Sequence, residues 1–127
     1  MILYVEDDAD NAFMLVQRLH RHGMAVRHVE DGEQALLAVA RDRPDAILLD
    51  VNLPGADGLT VLRRLRDDAA TRDLPVVIVS ASVQDAALSK AMQAGADAFV
   101  AKPIDFDRLL QTLARLLADK PGAGGDC

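Results

Sequence analysis

The sequence predicts an α/β fold: a doubly wound parallel sheet of five strands with five helices. Three observations predict it. Strand-like apolar runs alternate strictly with segments of helical period along the chain. Two of the runs, Ala46-Ile47-Leu48-Leu49 and Val76-Val77-Ile78-Val79, are apolar at every position, as in strands covered by helices on both faces. Polar and charged residues close the strands: Glu6-Asp7-Asp8 the first, Asp50 the third, Ser80 the fourth and Lys102-Pro103 the fifth.

Ile2 to Val5 forms the first strand. Ala12, Leu15, Val16 and Leu19 then recur at helical spacing, with Phe13 widening the apolar face. Asp8 and Asp10 put negative charge at that helix's positive end, and Gly23 stops it. The next strand, Ala25 to Val29, is interrupted by Arg27 and His28 and reads as an edge strand. Asp31-Gly32-Glu33-Gln34 opens the second helix, and Pro44 lies beyond its end. Residues 53–58 read as a loop, and Leu59, Leu62 and Leu65 line the third helix. Gln84 to Ala94 is a small-residue helix stopped by Gly95. Asp97 to Ala101 is the last strand and carries Phe99. Asp105 caps a final helix bearing Phe106, Leu109, Leu110, Leu113, Leu116 and Leu117. Met14, Met24 and Met92 read as packing residues.

A chain of 127 residues suits one domain with a sizeable core. A formal net charge of -6 argues against nonspecific nucleic-acid binding. No apolar run approaches a membrane span, and Ile2 to Val5 lacks the flanks of a secretory signal, so a cytoplasmic location without membrane insertion is expected. The lone cysteine, Cys127, forms no internal disulfide.

Parallel strands bring their carboxyl ends to one sheet edge, where such folds bind ligands. Carboxylates crowded there repel. At an effective dielectric near 20 and a separation near 4 Å, each pair costs roughly 4 kcal/mol. A hard divalent cation relieves this, and Mg²⁺ uses one or two carboxylates and keeps several waters. Asp7 and Asp50 can supply them, with Glu6 acting through water and the Asn52 backbone carbonyl as a further ligand. A carboxylate such as Asp50 is a nucleophile toward phosphorus. Mg²⁺, the Lys102 ammonium and the Ser80 hydroxyl can each cover one phosphoryl oxygen. Taken singly, each residue has a plain structural reading as first-turn acid, loop start, strand-end cap or surface charge. The combination at the ends of four strands favours the functional one. His20, His22 and His28 are irregularly spaced and are expected away from the acidic edge.

Four stretches, 2–8, 48–58, 77–81 and 95–103, resemble the receiver domain of two-component response regulators in residues and in mutual spacing. The resemblance covers residues 2–118. It implies a flavodoxin-like receiver over 1–118; residues 119–127, rich in Gly, read as a flexible tail or the start of a linker. It implies that Asp50 accepts phosphate from a histidine kinase or phosphotransfer protein. Glu6, Asp7, Asp50 and the Asn52 carbonyl would hold Mg²⁺, and Lys102 would contact the phosphoryl group. The Lys102–Pro103 peptide is implied to be cis. Ser80 and Phe99 match the family's switch pair. Many members carry Tyr where this chain has Phe99, so a hydroxyl contact is missing. Asn52 and Ser82 match positions that tune phosphoryl lifetime, here expected in minutes rather than hours.

The resemblance also implies an output through protein contacts on the face formed by the fourth helix, fifth strand and fifth helix. Ala86, Ala87, Ala91 and Ala94 give that face a smooth small-residue surface. A monomer or weak homodimer is expected, either standing alone or as part of a larger protein. Two other classes compete. A Mg²⁺-dependent phosphohydrolase would want a second acid where Asn52 stands, and a cap for its substrate. A degenerate receiver that only binds partners would not need Asp7, Asp50, Ser80 and Lys102 together. The expectation is therefore a signalling switch with only self-phosphorylation and self-dephosphorylation chemistry, not an enzyme.

Overall fold

The computed structural model describes residues 1–51, 58–80 and 86–118, apart from the Ala87 side chain. Asn52, Ser82, most of the expected 53–58 loop, the start of the fourth helix and the tail lie outside the described residues. The elements run β1 (Ile2–Val5), α1 (Ala9–Arg21), β2 (Val26–Val29), α2 (Gly32–Arg41), β3 (Ala46–Asp50), α3 (Gly58–Asp67), β4 (Val76–Ser80), α4 (Ala86–Gln93), β5 (Ala98–Ala101) and α5 (Phe106–Ala118). All neighbouring strands are parallel, in the order β2-β1-β3-β4-β5. That is the flavodoxin-like doubly wound order, whose switch point falls between β1 and β3. The polar strand β2 lies at the edge, and β3, apolar from Ala46 to Leu49, at the centre.

Local chemistry sets the helix boundaries. The Asp8 carboxylate caps α1 by accepting from the backbone N–H groups of Asp10 and Asn11, and Asp31 caps α2 by accepting from Gln34. Asp105 does the same for α5 through the Arg108 N–H, at 3.2 Å. Gly23 and Gly95, at φ +80° and +110°, follow α1 and α4 in the left-handed region that glycine enters at no steric cost.

The sheet divides the interior in two. Leu3, Val5, Ile47, Leu49, Val76 and Ile78 join α2, α3 and α4 in one cluster. Ile2, Tyr4, Ala46, Leu48, Val77 and Val100 join α1 and α5 in the other. This is the period-two alternation of a pleated strand, with each parity feeding its own layer.

Some packing expectations fail. Phe13 and Met14 are 64% and 65% exposed, because α1 buries only the face carrying Ala12, Leu15 and Leu19. Met92 is also exposed, whereas Met24 packs against the second cluster. Ala91 is fully buried against the first cluster, so it belongs to the core and not to a surface of small residues. Phe99 is exposed on β5.

The amino end of α3 lies directly on the end of β3. A Cβ added at Gly58 would come 2.5 Å from the Asp50 carbonyl oxygen and 2.8 Å from the Val51 Cα, both main-chain atoms. Gly58→Ala is therefore expected to destabilise the fold by about 1–3 kcal/mol, the range for overpacking a close-packed interior. Urea denaturation reads the shift; an unchanged midpoint would mean the helix end can move aside.

Candidate functional site

Parallel pairing carries β1, β3, β4 and β5 to one edge, and their terminal residues meet there. The Lys102 ammonium donates to Asp50 Oδ2 at 2.8 Å and to Glu6 Oε1 at 3.4 Å. Main-chain bonds hold the strand ends in register. The Lys102 N–H donates to the Ser80 carbonyl at 2.7 Å and the Val51 N–H to the Val79 carbonyl at 3.3 Å. The Lys102–Pro103 peptide is cis. Glu6, Asp50 and Ser80 are buried. Asp7 is exposed at the rim.

Glu6 shows how strained this electrostatic balance is. It is 1% exposed, and its Oε2 has no hydrogen-bond partner among the described residues. Burial, then a side-chain hydrogen bond with Asp50, pushes its pKa up to about 7, against the opposing pull of Lys102. Burial pulls Lys102 downward. The hydrogen bond and charge of Asp50, followed by those of Glu6, outweigh it and leave the ammonium pKa raised. One ammonium thus serves two carboxylates that cannot both ionise cheaply.

Glu6, Asp7 and Asp50 each offer an oxygen, all within 4.8 Å of one another. A buried, unpartnered oxygen beside two further carboxylates is a donor set that fits a small hard cation such as Mg²⁺. The structure therefore brings together Glu6, Asp7, Asp50 and Lys102 as anticipated, with Ser80 at the adjoining end of β4. Phe99 lies apart from them on β5, and Asn52 and Ser82 lie outside the described residues.

Two residues of the surroundings were not anticipated as such. His28 was expected away from the acidic edge, but its Nε2 lies 2.7 Å from the Glu6 main-chain carbonyl, to which it can donate. Tyr4 is buried below Glu6, and its ring meets that of His28 at 6.2 Å between centroids. Burial, then the charges of Glu6, Asp50 and Asp8, raises the Tyr4 phenol far above its ordinary value. The register that pairs Tyr4 with His28 was the available signal, since β1 and β2 are parallel. A groove of about 480 Å³ opens beside these groups, between α1 and the start of α5, and is lined by Tyr4, Glu6, Met14, Arg18, Lys102 and Phe106.

Comparison with known proteins gives one consistent answer. Residues 2–114 match the family model described as the response regulator receiver domain. The chain is 43% identical over 104 residues to the response regulator PleD of Caulobacter vibrioides, covering 82% of this chain and 23% of PleD. It therefore spans less than a quarter of that relative. It is 32% identical over 117 residues to protein PilH of Pseudomonas aeruginosa, covering 92% of this chain and 97% of PilH. Among solved structures it resembles the receiver domain of the sensor histidine kinase PA1611 of Pseudomonas aeruginosa. The TM-score is 0.87 at 33% identity, covering 93% of this chain and 97% of that one. That structure holds a magnesium ion in its active-site cleft.

The buried Glu6 has a consequence for stability. Without divalent cations the fold keeps the Glu6 proton up to about pH 7, while the unfolded chain releases it near the ordinary value of 4.5. The folded state then binds more protons, so this contribution is complete below pH 4.5 and is lost as pH rises toward 7. Urea denaturation in a chelator should show wild type losing stability across this window relative to Glu6→Gln. Parallel curves would show that Glu6 ionises normally.

Proposed function

The chain belongs to the response regulator receiver domain family, and we propose that it is the phosphoacceptor switch of a two-component phosphorelay, with Asp50 as the acceptor. The observation that carries this reading is the 2.8 Å contact between the Lys102 ammonium and Asp50 Oδ2, beside the Glu6–Asp7–Asp50 oxygen cluster. A carboxylate, a fixed positive charge and a cluster of acidic oxygens at one strand edge support the reading.

A histidine kinase or phosphotransfer protein supplies the phosphoryl group. An Asp50 carboxylate oxygen attacks phosphorus in line. The O–P bond forms as the P–N bond breaks, and the freed imidazole nitrogen takes up a proton. Lys102 follows the negative charge from the carboxylate to a phosphoryl oxygen, and the Ser80 hydroxyl donates to another. Asp7, Asp50, Glu6 through water and the Asn52 carbonyl would hold Mg²⁺, which when bound neutralises charge on the phosphoryl oxygens. The magnesium in the cleft of the PA1611 receiver supports that choice of ion.

Asp50 is buried, so the donor's phosphohistidine must reach inward past the rim. The groove along α1 leads to Glu6 and Lys102, and the exposed Phe13 and Met14 offer apolar area nearby. We read it as the donor's docking surface. Ser80 and Phe99 form the switch, and the face of α4, β5 and α5 carries the output to a protein target. Water removes the phosphoryl group without a separate enzymatic substrate, at a rate tuned by Asn52 and Ser82. The receiver unit is residues 1–118 and the protein is cytoplasmic.

Intact-protein mass spectrometry after incubation with acetyl phosphate tests the reading. Wild type should gain one phosphoryl group only with Mg²⁺, and Asp50→Asn none. Lys102→Ala should slow the gain about a hundredfold, the loss usual for an electrostatic donor in a reacting site. A gain that persists in Asp50→Asn would mean that another residue is the nucleophile.

A further inference from the structure

Helix α3 touches the phosphoacceptor at one end and a distant turn at the other. At its amino end Gly58 lies against the main chain of Asp50 and Val51, too close for any side chain. From Gly58 to Arg66 the helix runs about 12 Å. At its carboxyl end Arg66, with a side chain 16% exposed, spends its whole guanidinium on one corner of the fold. Nε and Nη2 donate to the Gly95 carbonyl at 3.0 and 2.8 Å. Nη1 donates to the Leu74 and Arg72 carbonyls at 2.7 and 3.0 Å. Nη2 also reaches Asp97 Oδ2 at 3.0 Å.

That corner joins three segments. Asp97 Oδ2 also accepts from the Val76 N–H at 2.8 Å, and the Asp97 N–H donates to the Val76 carbonyl at 2.9 Å. Arg66 therefore ties together the entry to β4, the turn after α4 and the entry to β5. Gly95 is at φ +110°, and a Cβ there would come 3.2 Å from Arg66 Nε, so the turn and the guanidinium fit closely. Between the two ends Val61, Leu62 and Leu65 are at most 2% exposed, packed in the cluster that holds Leu88 and Ala91 of α4.

We propose that α3 is a coupling strut: it carries displacement of the Asp50 main chain to the α4–β5 turn, with Gly58 and Arg66 as its two couplers. The proposal rests on Asp50 being the phosphoacceptor. Close-packed interiors transmit displacement rather than absorb it. A helix seated at both ends, and locked along its length by buried side chains, has no slack. Arg66 is thus a positioning residue that acts far from the site. Its planar fork spans four acceptors, which a lysine ammonium cannot do in the same geometry.

Hydrogen–deuterium exchange on the full chain tests this, with Mg²⁺ and beryllium fluoride as the phosphoryl mimic on Asp50. Fluorine NMR reports occupancy independently. In wild type, filling the site should change exchange at the Val76 and Asp97 amides by about fivefold, the lower range of allosteric coupling. In Arg66→Lys and in the near-isosteric Asp97→Asn the mimic should still bind, while that ligand-induced change largely disappears. Loss of stability alone raises exchange with and without the mimic, and leaves the difference between the two states. Arg63→Lys, a substitution on α3 outside the clamp, should behave as wild type. If wild type binds the mimic and these amides do not respond, the strut is overturned and the phosphoacceptor reading stands. If both clamp variants keep the full response, Arg66 is not a coupler. If wild type binds no mimic at all, the phosphoacceptor reading fails, and the strut fails with it.

Discussion

Two buried carboxylates, Glu6 and Asp50, share one ammonium, Lys102. Desolvation of a charge is costly, and Lys102 divides its compensation between the two. The fold keeps this imbalance in place because its groups come from strands that are apolar along their length. β1 and β3 are buried at every position up to the carboxylates. The edge is thus a frame of buried strands around closely spaced acidic groups and one ammonium. Under the proposed function, that crowding of carboxylates is what would draw a small cation.

Strand parity explains which groups face each other. Tyr4 and Leu48 belong to the layer under α1 and α5, as does Val100. Two residues beyond each, in the same parity, stand Glu6, Asp50 and Lys102. Ile78, two residues before Ser80, belongs to the opposite layer, with α3 and α4. The hydroxyl therefore approaches the acidic edge from the side on which those helices pack. The site is built across the sheet, with the charge cluster rooted in one layer and the hydroxyl in the other.

The fold was legible because the apolar runs of β3 and β4 have no other good home than the middle of a parallel sheet. Asp8, Asp31, Gly23 and Gly95 marked boundaries by chemistry that acts within a few residues. The carboxylates and the lysine were legible for the same reason: strand ends in a parallel sheet share an edge. The misreadings have a common origin. Phe13, Met14 and Ala91 were assigned by residue type, whereas their burial depends on the angular width of the contact that each helix makes. His28 was misplaced because its partner is a main-chain carbonyl, which no side-chain pattern announces. The Arg66 clamp was hidden likewise: four of its five bonds go to carbonyl oxygens.

Tyr4 is the only phenol in a chain that has no indole, and it lies buried beneath Glu6. Its electronic environment is set first by its own burial, then by the charges of Glu6, Asp50 and Asp8. The protein thus carries an intrinsic optical reporter at its electrostatic centre. Near-ultraviolet absorbance and emission from this chain come chiefly from one ring, with no second aromatic alcohol or indole to dilute the signal. Any change of charge at the strand edge would therefore register in the unlabelled protein by light alone.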